Sequence, residues 1–70
     1  MTPEEAGEIE LTRGPYKGQT IADLFEEDID YFIYLRDSDL TKVKDEEPVS
    51  AAQAYALLPE VQLKLMQYEG

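Results

Sequence analysis

Polar and apolar residues alternate over Glu8-Ile9-Glu10-Leu11-Thr12-Arg13, the period-two pattern of a half-buried strand with Ile9 and Leu11 facing inward. Gly14-Pro15 stops it with a turn. Tyr16-Lys17-Gly18-Gln19 returns as a short second strand, Gly18 supplying the backbone angle that the next turn requires. Ahead of this hairpin, Met1 to Gly7 carries Pro3, Glu4, Glu5 and Gly7 with almost no apolar content and reads as a flexible lead-in.

The period then lengthens. Thr20-Ile21-Ala22-Asp23 has the form of a capping box, with Asp in place of the usual Glu or Gln, and predicts a helix from Ile21. Its acids Asp23, Glu26 and Glu27 oppose Ile21, Leu24 and Phe25. A break is expected near Asp28, where Asp28 or Asp30 caps a second helix holding Tyr31-Phe32-Ile33-Tyr34-Leu35. That run is apolar on every side, as expected of a helix central to the core or of one shared with a partner subunit.

Residues 36–47 form a polar connection, ended by Pro48-Val49-Ser50, and Ser50-x-x-Gln53 is a second capping box leading into a helix from Ala51 to Leu58. Pro59 disfavours helix at the residue before it and places a break at Leu58 and a last helix from Pro59 to about Tyr68. Leu58, Val61, Leu65 and Tyr68 make one stripe on that helix, while Leu63 and Met66 spread apolar surface onto a second face. The expected architecture is therefore α+β: a flexible segment over 1–7 and one small domain over 8–70, a short N-terminal β-hairpin followed by three or four short helices.

Composition adds a constraint on stability. Seventy residues with no Cys and no His have neither disulfides nor the common zinc ligand sets to reinforce a small core. Close helix packing or self-association must supply the stability, and a homodimer is expected. The apolar content of 43% is too high for a disordered acidic tail. Met1 to Glu10 is acidic and lacks the apolar run of a signal peptide, and no segment approaches the ~18 apolar residues of a membrane span. A soluble protein of a reducing cytoplasm is expected.

The same composition narrows the chemistry. Without His or Cys there is no Ser-His-Asp triad, thiol nucleophile or typical metalloprotease site, and Ser38 and Ser50 have no evident activating base. Gly14 and Gly18 fit neither the P-loop nor the dinucleotide spacing. Asp28-x-Asp30 runs into Phe32 where a calcium loop needs an oxygen ligand. Asp37-x-Asp39-x-Thr41 meets Lys42 where the loop needs Gly and Pro48 where it needs Glu. A non-enzyme without cofactor or metal is expected.

What remains conspicuous is charge: 16 Asp and Glu against 6 Lys and Arg, a formal net charge of -10. That exceeds the magnitude of about 2 to 8 that solubility asks of a small domain. A field of this sign repels nucleic acid and anionic membranes and attracts basic protein surfaces.

Gly14-Pro15-Tyr16-Lys17-Gly18-Gln19-Thr20-Ile21, followed by Tyr31-Phe32-Ile33-Tyr34-Leu35, resembles a short module at the C-terminus of exodeoxyribonuclease X-like proteins that also occurs alone in phage proteins. Arg13 stands for that module's aromatic, Pro15 and Gln19 for two of its lysines and Tyr34 for its Trp. Without the lysines the resemblance implies only a β-hairpin followed by helices. In length, acidity and lack of catalytic side chains, the whole chain resembles the small phage host-takeover proteins of the DNA-mimic type, including acidic Bacillus phage inhibitors of the nucleoid protein HU. That resemblance implies an acidic dimer that occupies the DNA-binding surface of HU and blocks nucleoid organisation.

Spacing makes such mimicry physically reasonable. Duplex DNA presents one charge about every 1.7 Å of axis, and carboxylates three or four positions apart on a helix are separated by about 4.5 to 6 Å along it. Asp23, Glu26, Glu27 and Asp30 form one such row, with Asp28 at its break, provided the helical direction is nearly continuous there. Asp37, Asp39, Asp45, Glu46 and Glu47 make a second. Both rows are expected to meet Lys and Arg side chains that otherwise hold phosphates. The competing expectation is a non-catalytic assembly module whose apolar final helix docks into a groove on a larger complex.

Overall fold

The computed structural model describes residues 1–69; Gly70, the last residue of the domain expected over 8–70, lies outside them. Among the described residues five helices build the fold: α1 (Pro3–Ala6), α2 (Ile21–Glu27), α3 (Ile29–Asp37), α4 (Glu46–Tyr55) and α5 (Pro59–Glu69). No strand occurs among the described residues, so the class is all-helical and the expected α+β architecture is corrected.

The hairpin is reduced to a single antiparallel bridge between Glu10 and Thr20. Leu11 N–H donates to the Gln19 carbonyl at 2.8 Å and Ile21 N–H to the Ile9 carbonyl at 3.0 Å, with Gly18 N–H on the Leu11 carbonyl at 2.9 Å, but no second bridge forms among the described residues. Its return leg is coiled instead. Gly14 and Gly18 take φ of 83° and 92°, and the Lys17 and Gln19 amides bond locally to the Gly14 and Tyr16 carbonyls. The alternation still reports burial, because Leu11 is buried and Ile9 half-buried.

Residues 3–6, read from sequence as part of a flexible lead-in, form α1. Thr2 caps it by accepting from the Glu5 amide at 3.1 Å and donating to the Glu5 carboxylate at 2.9 Å, and Pro3 at the first helical position loses no needed N–H. Ala6 is fully buried. α1 is the helix that raises the expected three or four to five.

Thr20 caps α2, accepting from the Asp23 amide at 3.1 Å. α2 stops at Asp28, whose φ of -144° and ψ of 84° lie outside the helical region, and that residue also caps α3 by accepting from the Tyr31 amide at 3.2 Å. The turn brings Phe25 and Phe32 into edge-to-face contact at 4.9 Å, and Tyr55 of α4 completes the trio at 5.9 and 6.0 Å. Each such pair is worth about 0.5–1.5 kcal/mol beyond the area it buries. The small residues Ala51 and Ala52, both fully buried, let α4 lie close to α3, α1 and α2.

α4 begins five residues ahead of the expected Ala51, at Glu46. Its first amides have no intrahelical acceptor, so Pro48 at the third position costs no hydrogen bond, and Glu46 and Glu47 face the positive end of the helix dipole. α4 ends at Tyr55, three residues short of the expected Leu58, while the last helix starts at Pro59 as expected. α5 buries only Val61 and Leu65, leaving Leu63 and Met66 57% and 69% exposed on its outer face. The accessible surface of 4567 Å² is close to the roughly 4,450 Å² of a monomeric protein of this mass.

Gly7 lies against the Tyr55 ring: a Cβ there would sit 2.6 Å from Tyr55 Cε1. Gly7→Ala is therefore expected to destabilise the domain by about 1–3 kcal/mol through overpacking, read as a lowered urea midpoint. An unchanged midpoint would mean that α1 does not close over the aromatic trio.

Candidate acidic interface

The acids divide by what they already hold. Asp28 accepts from the Tyr16 hydroxyl as well as from the Tyr31 amide, and the Tyr16 ring stands edge-on to Tyr31 at 5.1 Å. Asp30 accepts from the Tyr68 hydroxyl, fastening the end of α5 to the start of α3. Asp37 takes the Arg36 guanidinium at 2.9 Å, with Glu69 on the same guanidinium at 3.0 Å. Asp39 closes a turn on Thr41, accepting from its amide at 2.9 Å and its hydroxyl at 2.7 Å, and Asp45 accepts from the Thr12 hydroxyl at 2.5 Å. These six carboxylates maintain the fold.

Asp23, Glu26, Glu27, Glu46 and Glu47 are exposed and make no side-chain hydrogen bond or ion pair among the described residues. Asp23, Glu26 and Glu27 lie on one side of α2, opposite buried Ile21, Leu24 and Phe25. With Gln19 they line an open cleft of about 460 Å³ that no cation lines. Gln19 Oε1 is itself buried without a hydrogen-bond partner. The three carboxylates lining the cleft are accessible, unused acceptors, suited to ammonium or guanidinium groups.

The break at Asp28 separates Asp30 from this row, so the four-residue run does not continue along one helix. Asp37, Asp39 and Asp45 are likewise committed within the protein, leaving Glu46 and Glu47 as the free members of the second row. Glu60 joins the α2 side without having been singled out in the sequence: burial raises the Tyr55 hydroxyl above its ordinary pKa, and Glu26 and Glu60 both push it further. Its only sequence signal is its place in the first turn after Pro59. The bridge between Glu10 and Thr20, with the Ala22 amide bonded to the Gly7 carbonyl at 3.0 Å, sets residues 8–10 beside the start of α2.

Almost nothing inside the protein neutralises this surface. Among the described residues Arg36 alone forms ion pairs, with Asp37 and Glu69, and these hydrogen bonds, Asp37 first, hold it protonated above its ordinary range. Lys64 lies over the Phe25 ring, 5.1 Å from its centroid, rather than on a carboxylate. No group of three or more acids is placed to hold a metal ion, and no helix is long and apolar enough to cross a membrane, among the described residues.

The Tyr16–Asp28 bond titrates at both ends. Donation from Tyr16, reinforced by the Tyr31 amide, lowers the Asp28 carboxyl below its ordinary 3.8, so its stabilisation is present above that value and lost as pH falls through the folded pKa. The same bond, with burial, raises Tyr16 above 10.0; that stabilisation is present below 10.0 and lost as pH rises through the folded pKa. Tyr16→Phe is therefore expected to lower the melting temperature most between about pH 5 and 9, the deficit narrowing on either side. Thermal unfolding of both proteins across pH measures it, and a pH-independent deficit would contradict the assignment.

No protein-family model, curated protein or solved structure matches this chain, and its function rests on the geometry of its own residues.

Proposed function

We propose that this protein binds a basic DNA-binding protein through the acidic face centred on α2 and occupies the surface that partner otherwise presents to DNA. The observation that carries the reading is the cleft lined by Gln19, Asp23, Glu26 and Glu27, whose carboxylates are exposed, unpaired and unaccompanied by a cation. A net charge of -10, with ion pairs confined to Arg36 among the described residues, draws such a partner in and is relieved by it. Three carboxylates within a helical turn and a half present acceptors at the density of phosphates, and Lys and Arg side chains meet both by the same charge-assisted hydrogen bonds. The nucleoid protein HU, the target implied by the likeness to acidic phage inhibitors, is the first partner to test.

A second reading has its own observation: Leu57, Leu63 and Met66 are 64%, 57% and 69% exposed at and along α5. That face suits docking into an apolar groove on a larger assembly. Salt distinguishes the two, since contact through α2 is electrostatic and contact through α5 is not.

Calorimetric titration of HU is expected to show binding that duplex DNA competes away and that weakens at least about tenfold between 50 and 200 mM salt. The combined Asp23→Asn, Glu26→Gln and Glu27→Gln variant, folded by circular dichroism, is expected to lose at least about tenfold in affinity. Salt-independent binding that the triple variant retains and Met66→Ser abolishes would favour the α5 reading.

A further inference from the structure

Lys64 reaches from α5 to the edge of the α2 face, yet it pairs with no carboxylate among the described residues. Its ammonium lies 5.1 Å from the centroid of the Phe25 ring instead. Phe25 and Glu26 are successive residues of α2, one buried and the other exposed, so the ring stands where the apolar and acidic sides of that helix meet. The same ring meets Tyr55 of α4 edge to face at 5.9 Å.

Two carboxylates from different helices converge on this corner. Glu26 on α2 and Glu60 on α5 both bear electrostatically on the Tyr55 hydroxyl, which hydrogen-bonds to neither. Glu60 lies four residues before Lys64 on α5, the spacing at which a helix forms an ion pair, and that pair is not made. Both carboxylates are exposed and take part in no ion pair among the described residues. Three helices thus bring together a ring face, a phenol hydroxyl and two unused carboxylates, and the chain's own ammonium engages only the ring.

The shape of a cation decides how much of such a corner it can use. An ammonium is a compact, strongly hydrated point charge, whereas a guanidinium is planar, more weakly hydrated, and carries its N–H donors around its edge. Laid on an aromatic face, it turns that edge toward carboxylates standing beside the ring. We propose that this corner is the seat of an arginine side chain from the basic partner, and that Lys64 is the internal cation which that arginine displaces from the Phe25 ring. The proposal rests on the reading of α2 as the working face and adds what that face selects, arginine over lysine. Lys64 is exposed, so its ammonium passes into water when it leaves the ring.

The test titrates two capped peptides of equal charge, tetra-arginine and tetra-lysine, into the full chain at about 50 mM salt while the Lys64 ε-methylene protons are followed by NMR. The Phe25 ring shifts those protons upfield in the free protein, and tetra-arginine is expected to return them to the position of a solvated lysine. It is also expected to bind at least about threefold more tightly than tetra-lysine. Lys64→Gln removes the internal competitor and should tighten tetra-arginine binding at least about threefold beyond Lys42→Gln, which removes the same charge from the connection between α3 and α4. Glu60→Gln should weaken it by a similar factor. Equal affinity for the two peptides, equal gains from the two lysine variants, full affinity in Glu60→Gln, or no binding of tetra-arginine at millimolar concentration would each overturn the proposal. HU bound at α2 with the Lys64 protons unmoved would overturn it and leave the α2 reading intact. Failure of HU to bind, with the peptides behaving as expected, would remove that partner and leave the arginine seat standing.

Discussion

One non-helical residue sets the geometry on which the rest of the molecule depends. Asp28 ends α2, its N–H bonded to the Leu24 carbonyl at 2.8 Å, and starts α3 by capping the Tyr31 amide. Its other oxygen takes the Tyr16 hydroxyl and so draws the coiled 14–18 loop against the same corner. With the corner fixed, Phe25 and Phe32 meet edge to face on one side and Asp23, Glu26 and Glu27 are left facing water on the other. The hydrophobic interior and the acidic exterior are two consequences of one turn.

That arrangement concentrates cost as well as function. Unpaired carboxylates on adjoining elements repel one another, and a domain of this size has little stability to spare. Several other carboxylates are hydrogen-bonded within the protein, Asp28 and Asp30 to tyrosine hydroxyls and Asp39 to a Thr turn. Those left free include Asp23, Glu26 and Glu27 on α2 and Glu46 and Glu47 in the first turn of α4, where a helix dipole offsets part of the repulsion for the last two.

Helix boundaries governed by local chemistry were legible in the sequence. Thr20, Asp28 and Pro59 act through short-range capping or through a missing N–H, and each sits where its chemistry requires. The same logic applied to Thr2-Pro3-Glu4-Glu5 identifies α1, a signal masked by the segment's lack of apolar residues. At Pro48 the local rule misleads, because proline is tolerated inside a first turn as readily as before one. The hairpin failed for a longer-range reason: alternation at Ile9 and Leu11 reports which side is buried, whereas a ladder also needs a return leg, and Tyr16 is held at Asp28 and Tyr31 instead. The acidic row was visible as spacing. Which of its members are already engaged depends on Tyr16, Tyr68, Thr12 and Arg36 arriving from elsewhere in the chain, and spacing carries no trace of that.

The central claim is that α2 presents the working face. Backbone amide shifts of labelled protein titrated with HU at low salt test it most directly. The account predicts perturbations concentrated on residues 19–27 and at Glu60, with the outer face of α5 unmoved. Perturbations centred on Leu63 and Met66, with Asp23, Glu26 and Glu27 silent, would contradict it.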